Sequence, residues 1–224
     1  AGKQRSRKRI EHNVNRVEER LYLGGMELYR RWVGDNLVEE IETHHLFATD
    51  QRILIVEDVL STNNPNLNAD VLFRYQYGNH LGSVGLELDG DTAVISYEEY
   101  HPYGTRAYSA SNAAVRAAAK RYRYTGMERD EETGLNYHGA RCYAPWLGRW
   151  ISADPDGIKD GINLYSYIHN NPINGRDPRG TDRESLWALG GRTLLGFGEG
   201  IVDAGIGLAH AAVAVINAPL DPIN

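Results

Sequence analysis

Alternation with a period of two runs through residues 14–150. In "RYQYGNHLGS" (Arg74 to Ser83) Tyr75 and Tyr77 share one face of an extended segment, and Arg74 and Gln76 share the other. Aromatic side chains at that spacing suit a pleated surface, so the pattern predicts strands with tyrosines toward a core and Arg and Gln on the opposite face. "RLYLGGMELY" (Arg20 to Tyr29) and "RYRYTGMERD" (Arg121 to Asp130) repeat the arrangement as degenerate copies of one unit. Tyr22, Tyr122 and Tyr124 take the strand positions, and the Gly that follows marks a hairpin turn or bulge. In "LELDGDTAVISYEEY" the Asp89–Gly90 pair between alternating runs is a strong hairpin signal. "STNNPNLNAD" (Ser61 to Asp70) and "SASNAAVRAAAK" (Ser109 to Lys120) read as loops, the second Ala-rich enough for one or two helical turns. The fold class is therefore mainly β, a string of hairpins.

The pattern changes after Gly180. "RESLWALGGRTLLGFGEGIVDAGIGLAHAAVAVIN" loses tyrosine and gains Gly, Ala and Leu, which predicts a short helical segment, with Gly196 and Gly200 at a small-xxx-small spacing. Glu199, Asp203 and His210 interrupt its apolar run, which argues against a membrane span and for a helix packed on protein.

Composition narrows the function classes. The 224 residues are 42% hydrophobic and 9% aromatic, enough for a core, and the net charge of −6 gives no phosphate-binding surface. The basic run "KQRSRKR" (Lys3 to Arg9) reads as a solvated, flexible start, and no nucleic-acid partner is expected. A single cysteine, Cys142, excludes an internal disulfide framework and a cysteine zinc cage. It has no legible His partner for nucleophilic chemistry. His138 and His169 lack a metal-ligand spacing, so neither metal nor cofactor is expected. No signal peptide opens the chain, and its abrupt start and end favour a fragment of a longer protein. Trp146 and Trp150 read as anchors of a core, and Asn170, Asn171 and Pro172 as a turn.

The segment Gly148 to Gly180 packs four Asp-Pro or Asp-Gly pairs, which are turn formers, into thirty-odd residues. With the preceding run "RYRYTGMERDEETGLNYHGARCYAPWLGRW" it closely resembles the core domain associated with the Rhs, or YD-repeat, family. Arg74 to Gly104 resembles the repeats that precede that domain in C components of insecticidal toxin complexes. The resemblance implies a division into a basic start (1–13), hairpin repeats (14–120), core domain (121–180) and the start of an effector or pre-toxin segment (181–224). It also implies that the repeats spiral into a hollow shell, plugged by the core domain, around a variable C-terminal toxin. The implied partners are the rest of that shell, the enclosed toxin and a secretion or translocation machinery, and the implied location is outside the producing cell.

In toxin-bearing members the core domain resembles an aspartyl autoprotease, and the matching residues here are Asp154, Asp160 and, holding one carboxylate ionised, Arg141. Two carboxylates sharing a turn cannot both ionise, so one keeps a proton and serves as acid to the other's base. Cleaving members usually carry an apolar residue, most often Leu, after the last "DPxG"; this chain has Thr181, which predicts an unbroken chain there or a cut moved to a neighbour such as Leu186. The alternative is a non-enzymatic adhesion module like the YD-repeat shell of teneurins, in which Asp154 and Asp160 only make turns.

Overall fold

A computed structural model describes residues 5–13, 15–64, 70–112, 115, 117–181 and 184–185. Of the predicted helical segment, Glu184 and Ser185 are described and form a short strand; the rest, with Leu186, Gly196, Glu199, Gly200, Asp203 and His210, lies outside the described residues.

The wall is an antiparallel meander whose strands pair in chain order: β1 (Arg7–Asn13), β2 (Arg16–Leu23), β3 (Met26–Val33), β4 (Asn36–Ala48), β5 (Gln51–Thr62), β6 (Val71–Gly78), β7 (Val84–Leu88), β8 (Val94–Tyr100) and β9 (Arg106–Ser111). The turn after β7 is built by Asp89, whose Oδ1 accepts the Asp91 and Ala93 amides at 2.9 and 2.8 Å. Gly90 is therefore one residue of a longer Asp-capped loop, not half of a two-residue turn. The basic start is structured from Arg7 onward, because its charges have partners: Arg7 meets Glu19, and Lys8 bridges Asp130 and Glu132. Of the Ala-rich stretch, Ser109–Ser111 belong to β9 and residues 117–120 run on without helix.

One expectation about the wall is reversed. On β6 the buried side chains are Arg74 and Gln76, while Val71, Phe73 and Tyr75 are exposed. The buried face carries Glu27 from β3, Thr43 and the nearly covered His45 side chain from β4, Glu57 from β5, Glu87 from β7, and Ser96 and Glu98 from β8. Burying charge is costly unless it is paired and hydrogen-bonded, and here it is. Arg74 reaches Glu57 at 3.2 Å and Glu87 at 2.8 Å, and Glu87 also accepts from Gln76 and Ser96. The chain after β9 crosses this face: the Ala118 carbonyl accepts from Arg74 and Lys120 Nζ bonds the Val84 carbonyl at 2.5 Å.

That crossing leads into the core domain, a small sheet of β10 (Glu128–Arg129), β11 (Asn136–Tyr137), β12 (Cys142–Ala144) and β13 (Arg149–Trp150), followed by β14 (Gly175–Arg176) pairing with β15 (Glu184–Ser185). Its strands are two or three residues long, so its stability comes from side-chain packing. Tyr124, Tyr143, Trp150, Tyr167 and Ile168 form one buried aromatic cluster, with Tyr143 and Tyr167 at 4.2 Å between ring centroids. Trp146 does not join it. That ring is 54% exposed and lies over Gly134, since Trp150 alone points inward from the β12–β13 turn. Among the described residues no helix is long and apolar enough to cross a membrane.

Candidate functional site

The site is built on the turn Tyr137-His138-Gly139-Ala140-Arg141 between β11 and β12 and on the loop Asp177-Pro178-Arg179-Gly180 after β14. One backbone bond clasps the two, Ala140 N donating to the Arg179 carbonyl at 3.0 Å, while His138 N closes its own turn on the Arg141 carbonyl at 3.0 Å. Gly180 is required at their contact. It sits at φ +70, and a Cβ there would lie 2.8 Å from the His138 oxygen and 2.9 Å from the Arg141 nitrogen.

Arg141 is the hub. Its guanidinium is buried over the Trp150 ring, with Cζ 4.2 Å from the centroid. Nη1 lies 2.9 Å from Asp154 Oδ2, Nη2 lies 3.3 Å from Asp177 Oδ2, and Nε donates to the Gly180 carbonyl at 2.6 Å. Asp154 is placed by the turn after β13: its amide donates to the Leu164 carbonyl at 3.0 Å, and its Oδ1 accepts the Asp156 amide at 2.9 Å. Asp177 Oδ1 accepts the amides of Gly180 at 2.7 Å and Thr181 at 3.2 Å. One guanidinium thus joins two carboxylates to the backbone on either side of the Gly180–Thr181 link.

Burial pushes the Asp177 carboxyl up to about 6, against the opposing pull of the Gly180 amide and the Arg141 charge. His138 lies behind it with no exposure; burial lowers its imidazole to about 4, although its Nδ1 bonds the Asp177 carbonyl at 2.5 Å.

Of the sequence-predicted residues, Arg141 and Asp154 meet in an ion pair. Asp160 closes the 3-10 turn Gly157–Asp160, and its side chain lies outside the described residues. The acid that shares Arg141 with Asp154 is Asp177, which the sequence reading treated only as a turn former. Its signal was present: an Asp-Pro-Arg-Gly turn placed just before the position at which the resemblance implies a cut. Cys142 is half-buried on β12 with its thiol raised by burial. Among the described residues no group of His, Cys, Asp and Glu is arranged to hold a metal.

Comparison with known proteins places the chain. No family model matches it. It is 43% identical over 167 residues to toxin subunit YenC2 of Yersinia entomophaga, a match covering 74% of this chain and 17% of that protein. It superposes on a crystal structure of TcdB2-TccC3 without the hypervariable C-terminal region at a TM-score of 0.69, with 37% identity over 76% of this chain and 8% of that one. A Tc holotoxin pore from Photorhabdus luminescens matches at 0.71, with 35% identity, over 84% of this chain and 9% of that one. The chain spans less than a fifth of the length of these relatives. At this level of identity, with the same strand-rich wall and core, the chain belongs to the Rhs, or YD-repeat, family and carries the Rhs core of toxin-complex C components.

Proposed function

We propose that this chain is the end of a toxin-encapsulating shell, and that its core domain cuts its own chain once at Arg141, Asp154 and Asp177. The observation that carries the reading is the triple grip of Arg141 on Asp154, Asp177 and the Gly180 carbonyl. A structural ion pair needs no backbone carbonyl beside it; an amide-hydrolysing site does.

Each group has a role in hydrolysis of the Gly180–Thr181 bond. Asp154 takes a proton from a water molecule as its oxygen bonds the Gly180 carbonyl carbon. Negative charge grows on the Gly180 oxygen, where Arg141 Nε already donates. Asp177 keeps its proton up to about pH 6; its Oδ1 accepts the Gly180 and Thr181 amide hydrogens, so the proton sits on Oδ2 and reaches the Thr181 nitrogen by rotation of the carboxyl once that nitrogen has become pyramidal and exposes a lone pair. It protonates that nitrogen as the C–N bond breaks, leaving a Gly180 carboxylate and a Thr181 amine. This bond lies one residue before the position that the family resemblance implies.

The wall supports the rest of the reading. Its buried face carries paired polar side chains beside the apolar Ile41 and Val59, and the chain that leads into the core domain crosses it, so the core domain closes one side of whatever the wall encloses. The partners are then the remainder of the C-type shell, a C-terminal toxin and a second subunit, as TcdB2 partners TccC3 in the solved complex. The complete protein is delivered outside the cell that makes it.

Intact mass of the purified 224-residue chain over days at pH 5–6 tests the cleavage. Wild type should yield a fragment ending at Gly180, and Asp154→Asn or Asp177→Asn should slow its appearance by about a thousand-fold. Unaltered fragment masses and rates in Asp177→Asn would remove that acid from the mechanism.

A further inference from the structure

We infer that His138 is a positioning residue for this site, fixing the Asp177 carboxyl against Arg141 through a bond to the Asp177 main chain. The inference rests on the reading of Arg141, Asp154 and Asp177 above. A carbonyl can only accept, so the 2.5 Å contact requires the hydrogen on His138 Nδ1. Lowered to about 4 by burial, the ring is the neutral tautomer with its lone pair on Nε2, and among the described residues Nε2 is buried without a partner.

Packing alone does not explain a histidine here. The ring is fully buried, and Trp150, Tyr143 and Tyr167 approach it edge-on with centroids at 5.1, 5.9 and 6.2 Å. A phenyl ring would fill that aromatic box without leaving a buried nitrogen unpaired, which carries a real desolvation penalty. The compensating bond goes to one atom, the Asp177 oxygen, and Pro178 follows it with no N–H of its own to anchor the loop. The same residue holds the other half of the site, because the His138 amide donates to the Arg141 carbonyl at 3.0 Å. Beside the Ala140–Arg179 and Arg141–Gly180 bonds, one side chain and its own backbone thus tie Arg141 to the Asp177 residue itself. The groups facing the imidazole are Tyr143, Trp150 and Tyr167 from the core, the charge of Arg141 and the main-chain carbonyl of Asp177.

Two substitutions test this in the 224-residue chain. His138→Phe keeps the ring and the box but removes the donor; His138→Asn keeps a donor near the Nδ1 position and loses the ring. The first readout is the titration of the Asp177 side-chain carboxyl, followed by NMR with 13C-labelled aspartate; the second is the rate of self-cleavage and its pH profile. In His138→Phe the carboxyl should move down from about 6 toward the ordinary range, by about one pH unit, as the loop loosens and solvent reaches it. Cleavage should slow about a hundred-fold, the scale of an ångström's misplacement. His138→Asn should restore both most of the way. A folded His138→Phe chain with unchanged titration and rate overturns the inference. If His138→Phe fails to fold, a folded His138→Asn chain with the wild-type titration supports it and one with an ordinary carboxylate titration overturns it. A wild-type chain that never cleaves, but whose Asp177 titration responds to His138→Phe, sinks the protease reading and leaves the positioning role standing.

Discussion

Arg74 in the wall and Arg141 in the core domain are the same device set to opposite ends. Each is a buried guanidinium gripping two carboxylates from distant parts of the chain. Burial alone would raise Glu87 and Asp177 alike, but Glu87 also faces Arg74, Lys120, Gln76 and Ser96, which hold its carboxyl down to about 2. Asp177 has only a 3.3 Å contact to Arg141 and backbone amides to offset its burial, and it stays up at about 6. Over-supplied with donors, a carboxylate is locked in charge and serves as structure. Under-supplied, it trades its proton near neutral pH, which is what an acid in a hydrolytic site must do.

The comparison breaks most visibly at the two arginines. Arg74→Leu leaves Glu57 and Glu87 buried without a countercharge and should cost about 3–5 kcal/mol in urea unfolding. Arg141→Leu should cost less than half as much at pH 5.5, because Asp177 can keep its proton, yet it should abolish self-cleavage. Equal losses of stability at that pH would make the core site a structural ion pair like those of the wall.

A pH series sharpens the contrast through its sign. The Glu87 carboxyl is lowered from 4.5 to about 2, so the stability it supplies is complete above 4.5 and is lost as pH falls toward 2. The Asp177 carboxyl is raised from 3.8 to about 6, so its favourable contribution is complete below 3.8 and is lost as pH rises through 6. Asp177→Asn should therefore gain on the order of 2–3 kcal/mol relative to wild type between pH 4 and pH 7.5. Glu87→Gln should instead be destabilising at pH 6, with a gap that narrows as pH falls from 5 toward 2. Denaturant melts across that range measure both, and parallel curves for Asp177→Asn and wild type would refute the assignment.

The architecture was legible where periodicity runs long. Strands β2 to β8 follow the alternation of Tyr, Leu, Val and charged residues, and their turns fall at Gly and Asp. The inward face was not legible, because period two says which residues share a face and not which face is covered. Arg74 turns inward only because Glu57 and Glu87, on strands either side, meet it there. In the core domain, strands of two and three residues carry no periodicity, and an outward Trp146 cannot be told from an inward Trp150. Arg141 and Asp154 emerged from resemblance, whereas Asp177 was hidden by an ordinary turn motif. Its role depends on a contact across thirty-six residues, which local spacing does not encode.

The smallest expected effect lies at the bond itself, where the site meets a residue unlike that of its cleaving relatives. Thr181 is half-buried, with its amide on Asp177 Oδ1. A Leu-sized group buried beside a scissile bond contributes about 1.5–3 kcal/mol that Thr, with its hydroxyl, cannot match. Only the part of that burial gained in the transition state accelerates the reaction, so Thr181→Leu should speed cleavage by about ten-fold. The cut should stay between residues 180 and 181, because the Gly180 carbonyl is the one that Arg141 holds. Terminal sequencing of the released fragment checks the position: a first residue of Asp182 would shift the addressed carbonyl on by one and require Arg141 to let go of Gly180 before reaction. If the Thr181→Leu chain stays whole for days at pH 5–6 with Asp154 and Asp177 intact, the trio is a plug that holds its loop without cutting it. The core of this chain then resembles its wall after all, and the shell or adhesion reading takes precedence.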